Sequence, residues 1–298
     1  MNGITLFEKQ EITDLLLKAE ADVHELNTVR KHISRVKGGR LAEIAYPARV
    51  ISLILSDVIG DRLDVIASGP TSPDKTTFSG ALRVLQKYEL IDKSPKSVID
   101  TLQSGEKGLI PETPKEKGIL FNKVENIIIG SSAIALNAAK QKAKEMGLNA
   151  NIISSELTGE ARDMGKWLAE KARNSLNSLN SLNRSNCLIS GGETTVTVKG
   201  HGLGGRNTEL ALSFAIDIGG NNGITLLSAG TDGTDGPTDA AGAIVDNETA
   251  TKAKKEGIIP EEYFDNNDSY NFFKRTGGLL ITGPTGTNVM DIQIAVIE

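Results

Sequence analysis

The sequence predicts an α/β protein with helices on both faces of a largely parallel sheet. Three observations lead there. Continuous apolar runs of strand length, VISLIL at Val50 to Leu55 and ITLLSA at Ile224 to Ala229, are typical of strands buried on both faces. Strand and helix patterns alternate from Val124 onward, as in parallel sheets with crossover helices. Finally, 13 of the 31 glycines crowd into residues 190–242. They fall in loops that follow strands, which is where open α/β sheets bind ligands.

In chain order, apolar residues at helical spacing (Leu6, Ile12, Leu15, Leu16, Ala19) predict a first helix. A second is expected from Asn27 as N-cap to Gly38, a favourable residue just past a helix end. Its basic run puts Arg30, Ser34 and Lys37 on one face. That face is either a solvated surface or the lining of a phosphate site, with the Gly38-Gly39 turn letting Arg40 swing in. VISLIL ends in SDVIGD, placing Asp57 and Asp61 in a loop at a strand's C-terminal end. Residues 78–120, interrupted by Pro95, Pro111 and Pro114, read as surface helix and loop. Val124 to Gly147 is a βα unit, and NIIS with GEARDMGKWLAEKA repeats it. The Gly130-Ser131-Ser132 turn between strand and helix either holds an anion or simply caps the helix.

Three tandem Ser-Leu-Asn triplets then satisfy neither helical nor strand period. They mark a linker at 175–185, between a first domain at 1–174 and a second, smaller mixed α/β domain at 186–298. In that second domain NCLISGG and ETTVTVKG read as strands, with Glu193 at their junction, placed to bind a cation or take a proton. Gly204 and Gly205 lead into a helix with Asn207 as its expected N-cap. Arg206 thus stands at a helix start beside a glycine loop, where a planar guanidinium grips phosphate or carboxylate through paired hydrogen bonds. A salt bridge to a neighbouring acid is the alternative. After ITLLSA, the loop GTDGTDGPTDAAGA carries Asp232, Asp235 and Asp239. They suit magnesium, which takes few protein carboxylates and leaves room for phosphate oxygens. Turns in which each aspartate bonds its own backbone are the alternative. A last pair of strands is joined by GPTGTNV.

Composition excludes several classes. The formal net charge of −5 offers no global attraction to nucleic acid or an anionic membrane, so any anion site is local. A lone cysteine, Cys187, excludes an internal disulfide and a Cys-rich zinc site. No apolar run is long enough to span a bilayer, and the N-terminus does not read as a secretory signal. The expected location is cytoplasmic, with neither nucleic acid nor membrane as partner.

The set VRKHISRVKGGRLA, SDVIGDRLDVIASGPTSPD, SGGETTVTV, GHGLGGRNTELAL, AGTDGTDGPTDAAGA and TGPTGTNVMD resembles the glycerate 2-kinase family, over essentially the whole chain. The family's C-terminal part is called the MOFRL domain. The resemblance implies a Rossmann-like αβα domain followed by a smaller mixed α/β MOFRL domain, with the active site in the cleft between. It implies transfer of the ATP γ-phosphoryl group, with Mg2+, to the 2-hydroxyl of D-glycerate, giving 2-phosphoglycerate. On this sequence Arg206, helped by the helix start at Asn207, would hold the glycerate carboxylate or the transferring phosphoryl group. Asp232 or Asp235 would coordinate magnesium or orient the hydroxyl, with Glu193 a second candidate for the base. Arg30, Lys37 and Arg40 would neutralise phosphate, and Asp57 and Asp61 would line the cleft. Family members carry a further upstream segment with a glycine- and serine-rich loop and a lysine for nucleotide or phosphate. The chain is therefore expected to be an N-terminally truncated member whose activity belongs to the complete protein, with a homodimer or a complementing N-terminal chain as partner. Two rival functions are hydroxypyruvate reductase, although no G-x-G-x-x-G follows a strand, and a non-catalytic ligand- or partner-binding remnant.

Overall fold

The computed structural model describes residues 3–116, 119–178 and 185–298. The chain forms two compact units, one of residues 1–54 and 61–129, the other of residues 55–60 and 130–298. The first is largely helical. Helix α1 (Leu6–Lys18) opens on Thr5 and α2 (Val23–His32) on Asp22, each through a reciprocal capping box with the glutamate three residues on. A short α3 (Arg40–Ala45) and strand β1 (Val50–Leu55) follow. Next come α4 (Phe78–Lys87), α5 (Lys96–Glu106) and strand β2 (Val124–Gly130), which pairs with β1. The core packs Ile12, Leu16 and Val29 against Phe78, Leu85, Val98 and Leu102. The segment expected to be surface helix and loop thus supplies more than half of this core, mostly through apolar residues at helical spacing on α4 and α5.

Helix α2 starts and stops earlier than expected. Asp22 is the cap, Asn27 is buried within the helix accepting from Ser68 Oγ, and the helix ends at His32. The side-chain oxygen of Ser34 accepts from the amides of Val36 and Lys37, a local turn that competes with helix continuation. The end of α2 is pinned by a buried network. Lys31 Nζ donates to Asp74 Oδ1 at 3.1 Å, Thr113 Oγ1 donates to Asp74 Oδ2, and His32 Nε2 lies 3.2 Å from Glu112. Gly38 (φ +61) turns tightly beside this network; a Cβ there would press on Thr113, Asp74 and Lys31. Arg40 does not swing in to the face of Arg30 and Lys37. It is buried, donating from Nη2 to Pro111 O.

The second unit is the layered α/β body. It contains α6 (Ser132–Glu145), β3 (Asn149–Leu157), α7 (Ala161–Ser178), β4 (Asn186–Gly192), α8 (Arg206–Asp217) and β5 (Ile224–Gly230). Strand β6 (Gly242–Asp246), helices α9 (Thr249–Lys255), α10 (Pro260–Asp265) and α11 (Ser269–Thr276), and strands β7 (Leu279–Leu280) and β8 (Asp291–Ile297) complete it. The six-stranded sheet has the order β3-β4-β8-β5-β6-β7. Strands β3 and β4 are parallel and every other pairing is antiparallel. Along β4 the side chains alternate. Cys187 and Ile189 pack under α6 with Leu136, while Leu188 joins the core of α7 and α8 built on Leu168, Leu210 and Phe214.

Several boundaries depart from the sequence reading. The unit boundary falls at Gly130, because β3 pairs with β4 and draws α6, β3 and α7 into the second unit. Of the expected linker 175–185, residues 175–178 finish α7 and 179–184 lie outside the described residues. ETTVTVKG is not a strand; it makes one isolated bridge, Thr195 to Glu160. Strand β1 is not buried on both faces: Ile51, Leu53 and Leu55 are 56%, 66% and 45% exposed.

The Lys31–Asp74 pair makes a pH prediction. Burial alone would raise the Asp74 carboxyl, but Lys31 and hydrogen bonds from Thr76 and Thr113 outweigh it and hold the group below its ordinary value. Its stabilising contribution is therefore present above the unfolded carboxylate range, near about 3.9, and is lost as pH falls through the lower folded value. Asp74→Asn should destabilise this unit by roughly 3–5 kcal/mol at neutral pH, since Lys31 is left buried and unpaired. The deficit should shrink below about pH 4. Hydrogen exchange of the α2 and α4 amides, measured across pH, checks both.

Candidate active site

Sheet register brings the chemistry together. Strand β8 runs antiparallel between β4 and β5, so Asp291 at its start stands opposite Gly192, the last residue of β4, and Gly230, the last of β5. The residue after β4 is Glu193, and the loop after β5 carries Asp232. Arg206, the first residue of α8, reaches into this corner. Its Nε and Nη2 donate to the two oxygens of Asp291 at 2.6 and 3.0 Å, and Nη1 donates to Glu193 Oε1 at 2.6 Å. The Asp291 side chain is 1% exposed, Arg206 32% and Glu193 47%. Burial disfavours the guanidinium charge, but Asp291 and Glu193 more than offset this and hold Arg206 above its ordinary value. Asp291 is itself pushed up, by burial, against the pull of Arg206.

The two carboxylates do different work. Asp291 forms a buried, two-pronged pair that fixes the guanidinium plane, and breaking such a pair is strongly destabilising. The contact to half-exposed Glu193 is worth at most about 1 kcal/mol. The Nη1 edge is therefore the one at which another anion can replace a carboxylate.

The start of α8 is closed to ligands by the protein itself. Its N-cap is Gly205, not Asn207. Asp235, buried in the loop after β5, accepts from the amides of Asn207 and Thr208 at 2.8 Å each and from Thr208 Oγ1 at 2.7 Å. A carboxylate at a helix N-terminus satisfies orphan amides and meets the positive end of the dipole. Asn207 Oδ1 accepts from Ser228 on β5. A Cβ on Gly205 would collide with Asp235, and one on Gly204 with Ser269 Oγ. These glycines exist for close packing between loop and helix.

A family model described as MOFRL family matches residues 186–291, and one described as domain of unknown function (DUF4147) matches residues 1–103. The chain is 51% identical over its whole length to a D-glycerate 2-kinase of Thermotoga maritima, of which it covers 68%. The chain belongs to the glycerate 2-kinase family. It is 44% identical to a glycerate 2-kinase of Pyrococcus horikoshii, with 99% of the chain and 66% of that protein aligned. The crystal structure of a Thermotoga maritima glycerate kinase superposes with a TM-score of 0.90 at 50% identity, covering all of this chain and 69% of that one. The chain spans about two thirds of the length of these family members.

Within this family member the expected three-aspartate magnesium set does not form. Asp235 is spent on the α8 cap, Asp239 Oδ1 accepts from Tyr270 OH at 2.8 Å, and Asp232 accepts from the Thr234 amide and hydroxyl. Among the described residues no group of three His, Cys, Asp or Glu is placed to hold a metal. The spacing of acids in a glycine loop gave no sign that they point to three different partners. Of the other expected residues, Asp57 is exposed in the second unit and Asp61, at φ +52, lies in the first. Arg30 and Lys37 line a hollow of the first unit, and Arg40 is buried. Sequence reasoning missed Asp291, whose role depends on a register that brings residues 85 apart into contact. In the GPTGTNV loop Thr285 Oγ1 donates to Thr231 O, tying the loop to the end of β5, and Asn288 accepts from the Met290 amide in a local turn.

The aspartates can be sorted by stability. Asp235→Ala should cost roughly 2–4 kcal/mol through loss of the cap and its charged hydrogen bonds. Asp232→Ala, on a half-exposed turn, should cost under about 1 kcal/mol. Urea unfolding of the two variants measures the difference.

Proposed function

We propose that this chain serves ATP-dependent phosphorylation of D-glycerate at its 2-hydroxyl, with Arg206 meeting the acceptor. The observation that carries the reading is the 51% identity, over the whole chain, to a protein named D-glycerate 2-kinase. The corner of the sheet supports it chemically, since one edge of a guanidinium is fixed there and the other is held by an exchangeable carboxylate. The activity is named for family members of which this chain spans about two thirds of the length.

In this reading Asp291 keeps the guanidinium in one plane and charged. The glycerate carboxylate, or the transferring phosphoryl group, takes the place of Glu193 on Nη1. Glu193, released and half-exposed, is then free to accept the proton of the 2-hydroxyl, the task of a general base beside a bound acceptor. Phosphoryl transfer depends mainly on positioning and charge neutralisation, and Arg206 supplies both. Asp232 fits magnesium as a single carboxylate, because that ion commonly takes one or two from protein and the rest from phosphate and water. Bound there, the ion would neutralise charge on the nucleotide phosphates.

The test follows ADP release with D-glycerate and ATP. Arg206→Ala should lower turnover about 10²–10³-fold, the usual consequence of removing a group that stabilises transition-state charge. Glu193→Gln should lower it by about 10²-fold or more while leaving the fold intact. Unchanged kinetics in Arg206→Ala would remove it from the site. NADH oxidation with hydroxypyruvate in place of ADP release would overturn the reading as a whole.

A further inference from the structure

The first unit holds a hollow of about 340 Å³ between α1 and the end of α2 with the segment that follows it. Its charged wall is Lys9, Arg30 and Lys37, against a single carboxylate, Asp14. The excess is positive in a chain whose formal net charge is −5. Among the described residues the Arg30 guanidinium makes no hydrogen bond or ion pair. Lys37 Nζ donates to Ala67 O at 2.7 Å, which leaves two of its three N–H groups. Burial first, and the neighbouring Arg30 charge second, hold Lys37 below the ordinary lysine range. Two like charges kept together in a partly buried wall are unfavourable until an anion joins them. The rest of the lining combines polar Gln10, Thr13 and Ser34 with apolar Leu6 and Ile33.

We propose that this hollow binds a nucleoside phosphate, its phosphates on Arg30, Lys37 and Lys9 and its base or sugar against Leu6 and Ile33. The proposal rests on the kinase reading and adds to it the place where the phosphate-bearing partner is held. The chemistry selects the class. The volume lies within the range of about 300–1,000 Å³ usual for small-molecule pockets. A three-carbon hydroxy acid would leave Leu6 and Ile33 uncovered, and inorganic phosphate would fill only the charged end. Arg30 offers a planar fork suited to phosphate oxygens. The expected phosphate-binding roles of Arg30 and Lys37 thus meet in one cavity, joined by Lys9 and without Arg40.

The experiment titrates ADP, and separately inorganic phosphate, into the full chain by calorimetry at low salt. ADP should bind with an affinity that falls as salt is added. Arg30→Ala and Lys37→Met should each weaken it about tenfold or more. Arg30→Lys should recover part of the loss. Arg35→Gln, an exposed cation of the same basic run that does not line the hollow, should bind like the wild type. Because Arg30→Ala could disturb the packing, hydrogen exchange of the wild type adds an independent reading, with α1 and α2 amides protected by ADP. No binding of ADP to the wild type, equal losses in Arg35→Gln and Arg30→Ala, or phosphate binding as tightly as ADP would overturn the proposal. The two readings fail separately. Glycerate-dependent ADP release that survives Arg30→Ala sinks the nucleotide site and leaves the kinase, whereas intact ADP binding without turnover does the reverse.

Discussion

The pairing of Arg206 with Asp291 is the interaction on which the second unit's chemistry depends. It joins the first residue of α8 to the first residue of β8, and it exists only because β8 threads antiparallel between the ends of β4 and β5. One register therefore sets three things together: where the guanidinium lies, which of its edges is occupied for good, and which edge faces Glu193. The Asp235 cap does the complementary job from the neighbouring loop, closing the amides of α8 and leaving the Arg206 side chain, not the helix end, turned toward Glu193.

Much of this fold was legible because its signals are local. The βα unit from Val124, the helix from Leu6 and the strand at Ile224 are written in hydrophobic period and end signals. The misreadings have one cause, competition from contacts distant in sequence. ETTVTVKG has a strand's alternation, but only Thr195 finds a bridging partner. The basic stretch after Asn27 has helical spacing, but Ser34 turns the chain and Gly38 bends it against Asp74. The compositional oddity at 175–185 stands just before the MOFRL match at 186–291, while compactness follows the pairing of β3 with β4.

The site was half legible. Arg206 beside glycines, with Glu193 and Asp232 at strand ends, was visible as residue types in the right loops, and these do gather around one corner. The particular duties were not visible. Glycine density reads as room for a ligand, yet Gly204 and Gly205 make room for Ser269 and Asp235. Three aspartates in one loop read as a metal set, yet each serves a different partner. Residue chemistry proposes a role, and only the geometry of neighbours says whether the group is already engaged.

The pairing of β1 with β2 has a consequence of its own. Ile51, Leu53 and Leu55 on one strand, and Ile127 and Ile129 on the other, lie open to water as a greasy two-strand ribbon. Uncovered aliphatic ribbons are where chains stick to one another, and sticking between molecules grows with concentration whereas folding does not. The crowding a solution of this polypeptide tolerates thus depends in part on five side chains remote from Arg206 in sequence.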